Sequence, residues 1–445
     1  MTAATSPDIS GDPRIAIARL PMHRLQIAVV ALCIGLNALD GFDVLAISFA
    51  APGIAAEWGV DRAVLGIVLS MELIGMAAGS VLIGNVADRI GRRPTILACL
   101  VVMAGGMFAA AAADGVAHLS AARLVTGLGI GGMLASTSAM VAEYSSDRRR
   151  DLNVSLNIAG YSMGAILGGA IVSALLSGAG AWRSVFLFGG AVTTLAIPLA
   201  FFLMPESIGS LIARRPSNAL AQVNRTLARL GRDAIAALPA PPAQADRPSL
   251  AALFSPAYAP LTILLSVAYF AQIMSFYYIQ KWIPKIVVDL GHEASAAGGV
   301  LVCANIGGLL GAVALAFASQ RFPLRPVIIA AMLAAFVMIA IFGLGHSDLA
   351  RLSLVAGIAG FFTNAGVVGM YPILAQTFPA ALRASGTGFV IGVGRGGSAL
   401  GPVVAGALFA NGIGLLAVSL VMGAGTLIAA SMIALLPWAQ ARRRA

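Results

Sequence analysis

Five ionisable side chains lie deep inside long apolar runs. Asp40 and Asp43 are three residues apart, so on a helix they share one face with Asn37. Glu72, Arg123 and Arg395 stand in three further apolar stretches. In a medium of low dielectric a carboxyl gives up its proton less readily than in water, and a second carboxyl nearby adds to the effect. Two acids at this spacing suit a site that takes and releases a proton near neutral pH, titrating as a pair. Arg123 is placed to pair with Asp43 or Glu72. A purely structural ion pair is the alternative for this set. Arg395 is flanked by Gly392, Gly394, Gly396 and Gly397, which leave room around it. Its planar guanidinium can hold a carboxylate through two parallel hydrogen bonds. Asn37, Asn305 and Asn364 are candidate hydrogen-bonding groups for a substrate. Tyr277, Tyr278, Tyr371 and Phe276 could stack on an aromatic ring, although ordinary helix packing is the simpler account of each.

The elements that must carry these residues are membrane spans. The 445 residues are 59% hydrophobic and 10% charged, against about 45–50% and about 25% in soluble domains. A span needs about 20 mainly apolar residues. Twelve runs qualify: 25–50, 63–86, 94–113, 119–142, 152–177, 183–204, 258–282, 294–318, 325–345, 350–376, 385–410 and 412–438. A charge at the centre of a bilayer costs about 2.5–3.5 kcal/mol on insertion scales, so charges there are paired and functional by default. Arg395 falls roughly 10 residues into its run, about 15 Å at 1.5 Å per residue, near the midplane.

The net charge of +10 could suggest nucleic acid, but its distribution excludes that partner. With both termini cytoplasmic, cytoplasmic segments hold 21 of the 28 Lys and Arg residues, the asymmetry that orients spanning helices. The outer loops would hold Arg62, Arg183, Lys281, Lys285 and Arg351. Residues 1–24 read as a cytoplasmic tail with no cleavable signal, 25–204 as six spans, 205–257 as a cytoplasmic linker with one short amphipathic helix around 217–231, 258–438 as six further spans, and 439–445 as a basic tail. Cys33, Cys99 and Cys303 lie in apolar runs and read as packing residues. The histidines lack metal-ligand spacing. No metal or cofactor is expected.

The two halves resemble each other. Ala87–Pro94 after span 2 matches Ser319–Pro326 after span 8, Ala142-Glu143 matches Ala375-Gln376, and Gly164 and Gly168 match Gly397 and Gly401, at offsets of 232 or 233. A duplicated six-span unit points to an all-α integral membrane protein of twelve transmembrane helices in two pseudo-symmetric bundles, with a site between them near the midplane.

Gly84-Asn85-Val86-Ala87-Asp88-Arg89-Ile90-Gly91-Arg92-Arg93-Pro94 resembles the signature loop between spans 2 and 3 of the major facilitator superfamily. Simple positive-inside charge would explain Arg92 and Arg93 but not Asp88 or the spaced glycines. Arg123–Gly132, the Gly160-Gly164-Gly168 series and Pro205-Glu206-Ser207 are similar to further motifs of that superfamily. Asp40-Gly41-Phe42-Asp43 together with Phe378–Gly388 and Gly394–Pro402 resembles the aromatic acid:H+ symporter family. This resemblance implies the major facilitator fold, a bacterial inner membrane and proton-coupled import of aromatic carboxylates by alternating access. It implies a cytoplasmic gate at Asp88, Arg89, Gly91, Arg92 and Arg93, joined by Glu143, Arg149 and Arg383. The buried charges themselves, apart from the resemblance, point to proton coupling at Asp40, Asp43, Glu72 and Arg123; the expected partners are an organic acid anion, protons and lipid, with a functional monomer.

Glu72 in span 2, Gln320 and Gln376 in the second half's gates and Lys281 beside Trp282 depart from the family pattern. They bear on which acid is carried. An exporter, or a carrier of dicarboxylates, muconate-like anions or sugars, is the alternative within transporters. A membrane enzyme or sensor is the alternative outside them. Against it stand the lack of a large extramembrane domain, of a Gly-x4-Gly-Lys-Ser/Thr loop and of a His/Cys/acid cluster.

Overall fold

The computed structural model describes residues 12–176, 182–240 and 250–444. Parts of the expected tail (1–11) and linker (241–249), and the side chains of Arg442, Arg443 and Arg444, lie outside the described residues. Among the described residues every long element is a helix, and twelve are long and apolar enough to cross a membrane. After a short α1 (Pro13–Arg19) come α2 (Arg24–Trp58), α3 (Arg62–Ile90), α4 (Arg92–Ala111), α5 (Val116–Tyr144), α6 (Arg150–Leu176) and α7 (Arg183–Leu203). Two short helices follow, α8 (Ile208–Arg214) and α9 (Ala219–Arg229), the second where the sequence suggests an amphipathic helix. Six long helices complete the chain: α10 (Ala259–Asp289), α11 (Ala294–Arg321), α12 (Leu324–Gly343), α13 (Leu349–Thr377), α14 (Ala380–Ala410) and α15 (Leu415–Arg444).

Two helices run further than their apolar windows. α2 continues through Pro52 to Trp58, and α10 through Pro284 to Asp289. Helical hydrogen bonding does not stop where hydropathy falls, and tertiary partners hold these extensions: Glu57 accepts from Trp182 at 2.7 Å and from Arg183. Lys281 and Lys285, expected in an outer loop, therefore lie on α10. Polar caps set other boundaries. Asp61 accepts from Val64 N–H at 2.8 Å to start α3, and Asp348 from Ala350 N–H at 3.2 Å to start α13.

Small residues let the helices cross closely. In the first half α2 packs on α6, α3 on α5 and α4 on α7; in the second, α10 packs on α14, α11 on α13 and α12 on α15. The repeat extends to single contacts. A Cβ on Gly164 would strike the Ala38 carbonyl and one on Gly397 the Phe270 carbonyl, at equivalent places in the two halves.

Among the described residues the halves share a buried core at one end. Phe42, Leu45, Leu65 and Val172 of the first half share one apolar core with Trp282, Ile283, Val300 and Ala405 of the second. There, too, Gly66 abuts Gly406, and Arg62 bridges to Asp289 at 2.9 Å. Toward the opposite end, which carries Arg89, Arg92 and Arg93, the fully buried residues of each core come from one half, with only the partly buried Tyr277 and Ala399 reaching across. Gly84 on α3 and Gly388 and Gly392 on α14 have nothing within 4 Å of where a Cβ would stand. The structure is a cleft, closed at the far end and open at the basic end.

Candidate functional site

The acids gather on the closed side of the cleft. Asp40, Asp43, Glu72 and Arg123 are all fully buried. Glu72 on α3 forms an ion pair with Arg123 on α5. Arg123 also donates to the backbone carbonyl of Asp43 at 2.8 Å and to the Met107 sulfur at 3.2 Å, and its guanidinium lies 5.3 Å from the Phe186 ring centre. The sequence leaves Arg123 a choice between Asp43 and Glu72. The structure gives it the Glu72 carboxylate and only the main chain of Asp43. The carboxylate oxygens of Asp40 and Asp43 make no hydrogen bond among the described residues. A buried ionised carboxylate without partners is costly, so the geometry suits carboxyls that hold a proton for part of a cycle.

Lys281 on α10 is the member that sequence reasoning did not assign to the site. It is fully buried, lies 3.6 Å from Glu72 and donates to the Val44 carbonyl on α2. The triad Arg123–Glu72–Lys281 thus spans both halves. The available signal was its composition: Lys281 is one of two lysines in the chain and sits in an apolar run beside Trp282.

Arg395 occupies the middle of the 31-residue α14 and is half-buried. Its side chain forms no ion pair or hydrogen bond among the described residues, and the hydroxyls of Tyr269 and Tyr277 feel its charge. Tyr269 donates to Tyr371 at 3.2 Å, and Tyr371 is 44% exposed. Tyr277 meets Tyr161 of the first half, which in turn stands near Glu72 and Asp40. A line of tyrosines therefore joins the acids to the arginine across the cleft. Tyr161 and Tyr269 are additions to the sequence-derived set.

The other candidates are dispersed. Tyr278 is buried against Ser419 at 2.8 Å, in the packing between α10 and α15. Asn37 donates to the Asn157 carbonyl. Asn305 bonds Gln280 at 3.1 Å, and Asn364 donates to the Gly308 carbonyl at 2.7 Å. The structure does not bring these three to Arg395.

At the basic end the gate residues organise around Glu206, which sequence reasoning placed in a motif but not in the site. Its Oε1 accepts from the backbone N–H groups of Arg92 and Arg93 at 2.9 and 3.4 Å, at the start of α4, where a helix favours an anion. Arg214 lies 3.8 Å from it. Gly91 has φ +113°, and a side chain there would run into Glu206. Asp88 pairs with Arg92 at 3.0 Å and is 58% exposed. Arg93 donates to the Phe201 carbonyl at 2.7 Å, Arg214 to that of Arg89 at 3.4 Å, and Ser207 to Glu143. Arg149 and Arg383 are exposed. All partners named here belong to the first half or the segment after it.

The pseudo-repeat and cleft are matched by sequence. The family model of the Major Facilitator Superfamily matches residues 33–311 and 265–445. The chain belongs to the major facilitator superfamily. It is 32% identical to the 4-hydroxybenzoate transporter PcaK of Pseudomonas putida, over 90% of both chains. It is 31% identical to the gallate transporter of the same species, over 96% of this chain and 94% of that one. It is 30% identical to the 3-(3-hydroxy-phenyl)propionate transporter of Escherichia coli K12, over 90% and 91%. Among solved structures, the inward open conformation of the xylose transporter XylE from E. coli superposes with a TM-score of 0.72 at 16% identity, covering 93% of this chain and 95% of that one. At that identity the likeness concerns the fold. Members of this superfamily are transporters, and the chain is a multi-pass inner-membrane transporter, not an enzyme.

Proposed function

We propose that the protein imports an aromatic carboxylic acid together with at least one proton by alternating access. The observation that carries this reading is the pairing of two buried, partnerless carboxyls, Asp40 and Asp43, with a half-buried arginine, Arg395, across a cleft lined by tyrosines. The acids take the proton, the guanidinium takes the substrate carboxylate, and Tyr269, Tyr277 and Tyr371 offer faces and hydroxyls to the ring. The names of the relatives support the substrate class. Bundles at 25–204 and 258–438 rock about the site, and the monomer suffices. The Arg/Lys asymmetry assigns the basic end, both termini and the 205–257 linker to the cytoplasm, which makes this structure open inward.

The test is uptake of labelled aromatic, dicarboxylic and sugar substrates by cells expressing the protein, with and without a protonophore. Protonophore-sensitive uptake of a hydroxylated benzoate is the expected result. Uptake of a sugar, or uptake indifferent to the protonophore, would refute the reading.

The gate supplies a second expectation. Asp88→Asn removes one exposed charge from the last turn of α3 and leaves the helix packing intact. Transport is expected to slow by up to about fivefold, since an exposed ion pair is worth up to about 1 kcal/mol, with the amount of protein in the membrane unchanged. Wild-type transport rates in this variant would remove Asp88 from the gate.

A further inference from the structure

We infer that Lys281 is a coupling residue delivered by the second half: its ammonium and a transported proton are alternative neutralisers of one acid cluster, so far-end closure, which inserts Lys281, expels a proton. This rests on the proton-coupled reading above and adds the device that ties the proton to the conformational change.

The geometry is specific. Lys281 comes from α10, whereas everything it touches in the cluster belongs to the first half: Glu72 on α3 at 3.6 Å and the Val44 carbonyl on α2. The charged groups around it are Glu72 from α3 and Arg123 from α5, and Glu72 in turn joins Asp40 and Asp43 of α2 in one cluster. Cys99 of α4 and Tyr161 of α6 border Asp40, and Tyr277 of α10 links outward to Arg395 of α14. α11 contributes Asn305, bonded to the neighbouring Gln280. Three acids therefore face two cations when Lys281 is inserted, and one cation when the far end opens and α10 withdraws.

A buried cluster with excess negative charge is costly, and either a proton or an ammonium relieves it. With Lys281 withdrawn, the cluster needs one more proton than with Lys281 in place. The proton loads from the far side, and closure of that side replaces it with Lys281, so the proton leaves toward the open basic end. The linkage is reciprocal: whatever factor closure costs the bound proton, the proton costs closure. Glu72 and Arg123 pair within the first half, so withdrawal of α10 takes only the Lys281 charge away and the exchange concerns one charge only.

A substrate-free measurement tests this. Ser173 lies in the far-end seam against Gly298. Ser173→Cys is made in a background lacking Cys33, Cys99 and Cys303, and its labelling by an impermeant maleimide is followed in intact cells between pH 5.5 and pH 8. Rates are divided by those of Gly115→Cys, an open position outside the seam, to cancel thiol chemistry. With Lys281 present, low pH is expected to raise relative labelling several-fold. In Lys281→Met the dependence falls below twofold, Lys281→Arg retains it, and 4-hydroxybenzoate accumulation falls while some exchange persists. If Lys281→Met fails to reach the membrane, Lys281→Gln makes the same comparison. An unchanged pH dependence in the neutral variant overturns the proposal. If Asp43→Asn flattens the dependence but Lys281→Met does not, proton coupling stands and the role of Lys281 fails. If labelling behaves as expected but no aromatic acid is carried, the substrate reading fails and the Lys281 device stands.

Discussion

Asp43→Asn and Asp40→Asn are each expected to reduce gradient-driven accumulation to an inside-to-outside ratio near unity. One pH unit is about 1.4 kcal/mol per proton, so a gradient of roughly two units supports accumulation of the order of 100-fold when one proton accompanies each monoanion. Such a cycle moves no net charge. With two protons it moves one charge and gains about 2.3 kcal/mol per 100 mV. In both variants the amide is isosteric and the helix unaltered, because neither carboxylate is engaged in a hydrogen bond that packing depends on. Exchange across preloaded vesicles should therefore survive in part. Accumulation measured in vesicles under an imposed pH gradient, alone and with a potential, gives both the loss and the stoichiometry. Full accumulation in both variants would take the proton site out of α2 and transfer it to Glu72.

Arg395→Lys should raise the half-saturation concentration for uptake by on the order of 10- to 100-fold. A lysine keeps the charge but offers a point ammonium in place of a planar fork, so one of two parallel charge-assisted bonds is lost, worth about 1.5–3 kcal/mol. The residual uptake should remain protonophore-sensitive, because the acids are untouched; that split separates a binding defect from a coupling defect. An unchanged half-saturation concentration would show that the carboxylate is held elsewhere.

The fold was legible because a bilayer leaves the chain few options. Spanning segments must be helical, their length is fixed by the hydrocarbon, and Arg and Lys mark one side. The glycine series was legible for a related reason, since close crossing demands small residues at a helical period; Gly164 and Gly397 lie in the crossings that their repeat implies. That Arg123 pairs with a buried acid followed from the rule that buried charges find partners, but the choice of Glu72 over Asp43 did not. What the sequence hid is what depends on azimuth and on the relative placement of the halves. Periodicity does not say that Tyr278 turns into the packing with Ser419 while Tyr277 faces Tyr161. Nor does it say that Lys281, near the end of an apolar window, extends into the opposite half. Glu206 was hidden by a different cause: it lies more than 100 residues from the α4 N-terminus that it caps.

A protein with carboxyls buried in the membrane risks becoming a leak, and a cell living on its proton gradient cannot tolerate one. Trp282, the residue after Lys281, is 1% exposed, donates to the Pro402 carbonyl at 3.2 Å and packs 5.1 Å from the Phe409 ring centre. Above it a recess of about 280 Å³ is open to the far side, bordered by Arg62 and Asp289. External water can fill that recess, and Trp282 is among the residues that line it, so insulation and charge exchange occupy consecutive positions on one helix. A movement that lifts Lys281 away from Glu72 lifts the stopper with it, and a continuous water path is interrupted whenever the ammonium is seated.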